Sequence, residues 1–212
     1  MIINFLGDSI TEGAITTSYD KCFIEQLKKL LNADVRNYGK GGTRIARQHH
    51  VTPENDWGED YCARAPKMQN DADLVFVFGG TNDYGHGDAP MGKMGDKTPD
   101  TFYGAMDYLI NELLRYYKKD QIAFILPLSR IDEDKTIHNS KDPEIIARYP
   151  LEDYRKVMVE VLDKYQIEIL DFRKEIGPGE NNPLLADGLH PNDKGHYLLA
   201  TLLAKYIKEK TH

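Results

Sequence analysis

The sequence predicts an α/β fold, a central parallel sheet with helices on both faces, and three observations predict it. Apolar runs of strand length alternate along the chain with longer segments whose apolar residues recur at helical spacing. The clearest run, Leu74-Val75-Phe76-Val77-Phe78, is apolar at every position, as a strand covered on both faces must be. No hairpin signal joins one run to the next, so right-handed crossovers are expected to connect the strands.

Met1 to Leu6 forms the first apolar run, and Gly7-Asp8-Ser9 ends it abruptly. From Tyr19 to Leu31, Cys22, Phe23, Leu27, Leu30 and Leu31 fall on one helical face. A short strand, Val35 to Tyr38, runs into Gly39-Lys40-Gly41-Gly42, and a weak helix is expected over Tyr61 to Asn70. Strand three, Leu74–Phe78, ends in Gly79-Gly80-Thr81-Asn82-Asp83. Phe102, Met106, Leu109, Ile110, Leu113, Leu114 and Tyr117 mark a strong helix, followed by an apolar run from Ile122 to Leu128. A further helix spans Leu151 to Tyr165, and Ile167 to Leu170 is the last strand. The closing helix is expected from an N-cap at Asn192 to Lys208, burying Leu198, Leu199, Leu202, Leu203 and Ile207. Segments 43–60, 84–100 and 129–149 have no period and read as long loops, which in compact domains commonly bind or cover ligands.

The length of 212 residues fits one domain, 1–212, with no linker or repeat. A net charge of −7 and the lack of any basic block argue against nucleic acid or an anionic membrane as partner. No apolar run is long enough to span a membrane, and Met1–Gly7 lacks the basic leader of a signal peptide, so a cytoplasmic location is expected. Cys22 and Cys62 are too few and too scattered for a disulfide framework or a zinc site and are expected to be small buried hydrophobes.

The polar signals fall where a parallel sheet gathers them, just past the carboxyl ends of its strands. Ser9 follows strand one, the glycine cluster strand two, Asn82 strand three, and Asp187-Gly188-Leu189-His190 precedes the last helix. A serine hydroxyl needs a base to become a nucleophile, and a histidine held by a carboxylate supplies one. A glycine-turn N–H and an asparagine amide are suitable donors to an oxyanion. Each residue also has a plainer reading. Ser9 could end a turn, Gly39, Gly41 and Gly42 could simply permit one, and Asn82 could cap the next segment. Asp187 and His190 could form a capped turn. Asp8, Asp187, His190 and His196 could be read as metal ligands, but no tight ligand spacing supports that. His49, His50, His86 and His138 are expected to be solvated loop residues, and Asp83 and Tyr84 could line a pocket.

Taken together, Gly7-Asp8-Ser9-Ile10, Asn37-Tyr38-Gly39-Lys40-Gly41-Gly42, Gly79-Gly80-Thr81-Asn82-Asp83 and Asp187 with His190 resemble the ordered blocks of the SGNH (GDSL-type) hydrolases. The resemblance runs from strand one to the last helix. It implies a flavodoxin-like three-layer αβα fold and hydrolysis of an acyl ester through an acyl-enzyme. It further implies that Ser9 is the nucleophile, that His190 is its base and Asp187 the orienter. Ser9 N–H, Gly42 N–H and the Asn82 side chain would form the oxyanion hole. Gly42 is placed by its spacing from Asn37, and Ile10 stands where the family has leucine. No cofactor or metal is expected, and the only partner expected is a small-molecule ester. The polar, glycine-rich loops, with Trp57, Met91 and Met94 as apolar anchors, favour a short acyl group on a polar or carbohydrate alcohol. The alternatives are a lipid-directed acylhydrolase or thioesterase of the same fold, a metal-dependent hydrolase, and a non-catalytic carbohydrate-binding module. No Gly-x-Ser-x-Gly elbow supports an α/β-hydrolase.

Overall fold

The computed structural model of the chain describes residues 1–54, 56–138 and 146–211. Five parallel strands, β1 (Ile2–Gly7), β2 (Asp34–Gly39), β3 (Leu74–Phe78), β4 (Ile122–Ile125) and β7 (Glu168–Leu170), form one sheet in the order β2-β1-β3-β4-β7. The chain steps from β1 outward to β2 and then returns past β1 to lay down β3. The connection therefore reverses direction between β1 and β3, and such a switch point opens a crevice at the strands' carboxyl ends. Register is continuous there: Gly7 lies opposite Gly39 on one side and Phe78 on the other.

Alternating side chains send each strand's apolar residues to two cores. Ile3 and Phe5 of β1, with Phe76 and Phe78 of β3, pack against α2 (Phe23–Leu31) and α8 (Asp193–Thr211). Leu6, Val75, Val77 and Phe124 pack on the other face against α3 (Tyr61–Arg64), α5 (Phe102–Leu113) and α6 (Leu151–Tyr165). The phenyl rings of Phe5 and Phe76 stack at 4.7 Å on the α2/α8 face. Cys22 and Cys62 are buried, free thiols, one on each side of the sheet. In α8, Leu199, Leu203 and Ile207 are buried, while Leu198 and Leu202 are only partly covered. Asn192 caps that helix, its Oδ1 accepting from the N–H groups of Lys194 and Gly195 at 3.0 and 3.2 Å.

Several elements differ from those predicted. Ser9–Glu12 is a one-turn helix, α1, and Thr81–His86 another, α4; His86 therefore ends a helix instead of lying in a loop. The weak helix over 61–70 is a single turn, α3, followed by a 3-10 turn at Ala65–Lys67, because Pro66 cannot continue the α-helical hydrogen bonding. A short helix, α7 (Arg173–Ile176), follows β7. Segment 129–149 contains a small antiparallel ribbon, β5 (Ile137–His138) with β6 (Ile146–Arg148), where no hairpin signal is present in the sequence. Ile137 and His138 are both exposed, so no buried face leaves an alternating pattern. Residues 139–145 of that segment, and residue 55 of segment 43–60, lie outside the described part.

Candidate active site

Ser9 opens α1, whose N-cap is Asp8; the buried carboxylate of Asp8 accepts the Ile10 N–H at 3.0 Å. As the first residue of a one-turn helix, Ser9 has no intrahelical partner for its own N–H, which has no other partner among the described residues. Its Oγ lies 2.9 Å from His190 Nε2, and His190 Nδ1 lies 2.8 Å from Asp187 Oδ2. Asp187 Oδ1 also accepts the backbone N–H groups of Leu189 and His190, at 3.0 and 2.7 Å, and these fix the loop on its own carboxylate. Enclosure raises the Asp187 carboxyl, but the His190 and Leu189 donors outweigh it and hold the group below the usual carboxylate range.

The second block approaches Ser9 through close packing. At Gly39 a Cβ would fall 2.2 Å from the Glu12 backbone nitrogen, so only glycine lets the end of β2 lie against α1. The N–H groups from Gly39 to Thr43 can be accounted for in turn. Gly39 donates to Asn37 Oδ1, Lys40 to the Gly7 carbonyl, Gly41 to Glu12 Oε2 and Thr43 to the Lys40 carbonyl. Gly42 N–H is left without a partner among the described residues. Gly42 has φ +74°, and a Cβ there would lie 2.5 Å from the Trp57 ring, which covers this glycine. The Asn82 amide donates to the Thr43 carbonyl at 3.0 Å, leaving its second N–H for another acceptor.

Asp83 lines a narrow pocket together with Arg44, Phe102 and Tyr154. Its buried carboxylate accepts the N–H groups of Ile45 and Ala46 at 2.9 and 2.8 Å, holding the chain just beyond Gly42 and Thr43. Tyr84 is likewise buried, and its hydroxyl donates to the Asp132 carbonyl. Burial pushes both Asp8 and Asp83 up to about 6. Arg64 bonds the carbonyls of Gly7 and Tyr38 and the hydroxyl of Thr43, tying the ends of β1 and β2 to the glycine turn. The sequence gives little warning of Arg64 or Glu12, because each acts on backbone far away in the chain.

The four side chains considered as metal ligands do not converge. Asp8 caps α1, Asp187 holds His190, and His190 faces Ser9. His196 is fully buried in α8, stacked on Phe23, and its Nδ1 accepts the Phe23 N–H at 3.2 Å. Burial lowers the His196 imidazole to about 4. Among the described residues no group of three or more His, Cys, Asp or Glu side chains could hold a metal ion. Nor, among them, is any helix long and apolar enough to cross a membrane.

A family model described as the GDSL-like lipase/acylhydrolase family matches residues 5–198. The chain belongs to this family. Among solved structures, a Lactobacillus plantarum protein is 26% identical, with a TM-score of 0.78 over 98% of this chain and 96% of that one. An aryl esterase from M. smegmatis, 15% identical, shares the fold at a TM-score of 0.68 over 98% of each chain. A two-domain esterase active on acetylated mannans shares it at 0.63 and 20% identity, over 100% of this chain and 50% of that one. A search of curated proteins finds no match. The matched residues take in the end of β1 from Phe5, Ser9, the glycine turn, Asn82 and the Asp187–His190 loop of this member of the GDSL-like family.

Proposed function

We propose that the protein is a serine esterase that hydrolyses a short acyl ester of a small polar or carbohydrate alcohol, with no metal or organic cofactor. One observation carries the reading: Ser9 Oγ, the His190 ring and the Asp187 carboxylate form a continuous line of hydrogen bonds, 2.9 and 2.8 Å long. His190, held by Asp187 through Nδ1, takes the Ser9 proton at Nε2 as Oγ attacks the ester carbonyl. The Ser9 and Gly42 N–H groups and the Asn82 amide stabilise the oxyanion. His190 then protonates the departing alcohol, and water repeats the sequence on the acyl-enzyme.

A short acyl group is supported by Trp57, whose ring covers Gly42 and stands 5.4 Å from the His86 ring, so the oxyanion side is walled by bulky groups. The test is a p-nitrophenyl ester series from C2 to C12 run beside Ser9→Ala. Acetyl or propionyl esters should be cleaved best, and the variant should be inactive. A maximum at C8 or longer would transfer the reading to the lipid-directed acylhydrolase.

A further inference from the structure

Arginines are distributed unevenly over this acidic chain. Arg36, Arg47, Arg115, Arg155 and Arg173 each pair with a carboxylate. Arg44, Arg64, Arg130 and Arg148 pair with none among the described residues, and all four lie around the Ser9 edge of the sheet. Two of them have their hydrogen bonding directed inward. Arg64 is spent on backbone carbonyls, and Arg44 Nη1 lies 3.1 Å from His86 Nδ1.

Arg130 and Arg148 are different. Both guanidinium groups lie over the one ring of Tyr84, at 5.3 and 5.5 Å from its centroid. Two like charges gathered at one aromatic ring repel, and an anion bound beside them would relieve the repulsion. Three of the nearby carboxylates are engaged elsewhere, while Asp134 and Glu180 share with Arg130 the lining of a neighbouring cavity. Asp132 pairs with Lys135 at 2.8 Å, Glu133 with Arg155 at 2.9 Å, and Asp187 with His190. Arg130 bonds the carbonyl and hydroxyl of Thr81 through Nη1, at 3.2 Å each, and its Nε is buried without a hydrogen-bond partner. The pair also has a direction. Thr81 adjoins Asn82, while Ile131, next after Arg130, donates its N–H to the Gly188 carbonyl at 2.9 Å, inside the loop that carries Asp187 and His190. His190 must protonate the departing alcohol, so that alcohol lies on the His190 side, where Arg130 sits.

We infer that the alcohol part of the substrate carries an anionic group, a carboxylate or a phosphate, received by Arg130 and Arg148 beside Tyr84. This rests on the serine-esterase reading for the identity of the reacting bond. Guanidinium forks bind both oxyanions well, so the site specifies charge ahead of sugar identity.

Three acetyl donors test the inference: glucuronate, glucose 6-phosphate and glucose, each acetylated at O3. At low salt, at least one anionic ester should exceed the neutral one by about ten-fold or more in kcat/KM. That advantage should shrink to within about three-fold in Arg148→Gln and reverse in Arg148→Glu. A second arm needs no turnover: glucuronate and glucose 6-phosphate should bind the Ser9→Ala protein more tightly than glucose, and Arg148→Gln should remove the difference. Equal handling of neutral and anionic ligands in both arms, or a preference untouched in Arg148→Gln, overturns the inference. If wild type and Ser9→Ala hydrolyse the esters equally, the serine reading fails instead, and the binding arm still decides the anion site.

Discussion

Three aspartates stand at one edge of the same sheet and titrate in opposite directions. Asp8 and Asp83 are enclosed, 1% and 4% exposed, and burial lifts both to about 6 although each accepts backbone N–H groups. The Asp187 side chain is 43% exposed, accepts two backbone N–H groups and a bond from His190, and is held below its ordinary range. The difference separates frame from chemistry. A buried carboxylate with few donors costs the fold its charge at neutral pH and serves as a backbone clamp. An exposed one with three donors stays ionised and can stabilise a developing imidazolium.

Substitutions at each position sharpen that contrast. Asp187→Asn should give the largest effect, lowering kcat by about 10⁴-fold while the protein melts at a near-native temperature, because the amide favours the wrong His190 tautomer. Asn82→Ala should come next, with a loss of about 10²–10³-fold in kcat and little change in KM, since its free N–H matters most in the transition state. Asp83→Ala should act through stability, costing about 2–5 kcal/mol in denaturant unfolding, because the Ile45 and Ala46 N–H groups lose their acceptors. An Asp83→Ala protein as stable as wild type would dissolve the distinction.

Asp8→Asn should have the smallest effect and the opposite sign. Asparagine caps a helix as well as aspartate does and has no charge to bury. A carboxyl whose folded pKa is raised from 3.8 to about 6 contributes stability that is full below pH 3.8 and lost as pH rises through about 6. The variant should therefore gain on wild type across that window, by up to roughly 3 kcal/mol above pH 7. Unfolding free energies of both proteins from pH 3.5 to 8 check this. A difference that does not change with pH would contradict it.

How much of this was legible in the sequence depended on the range of each interaction. β3 appears over its predicted residues because its five apolar side chains are read locally. Ser9, Asp187 and His190 stand out because the proposed chemistry is legible in the residue types themselves, Ser9 just past β1 and the other two in the short loop before α8. The β5–β6 ribbon left no trace, since Ile137 and His138 are solvent-facing and the pairing has no core to pattern it. The helix α4 was hidden by its composition: Gly80 enters it at φ +102°, and Thr81-Asn82-Asp83-Tyr84-Gly85-His86 reads as a turn. The clamps were hidden by distance, because Asp83 holds Ile45 and Ala46, and Arg64 holds Gly7, through contacts 37 to 57 residues apart.

The central claim is that Ser9 is a nucleophile made reactive by His190, and a fluorophosphonate probe tests it most directly. After labelling, digestion and mass spectrometry should place the adduct on the peptide containing Ser9. Labelling should vanish in Ser9→Ala and slow by orders of magnitude in His190→Ala. Equal labelling of wild type and Ser9→Ala, or an adduct on another residue, would contradict the account.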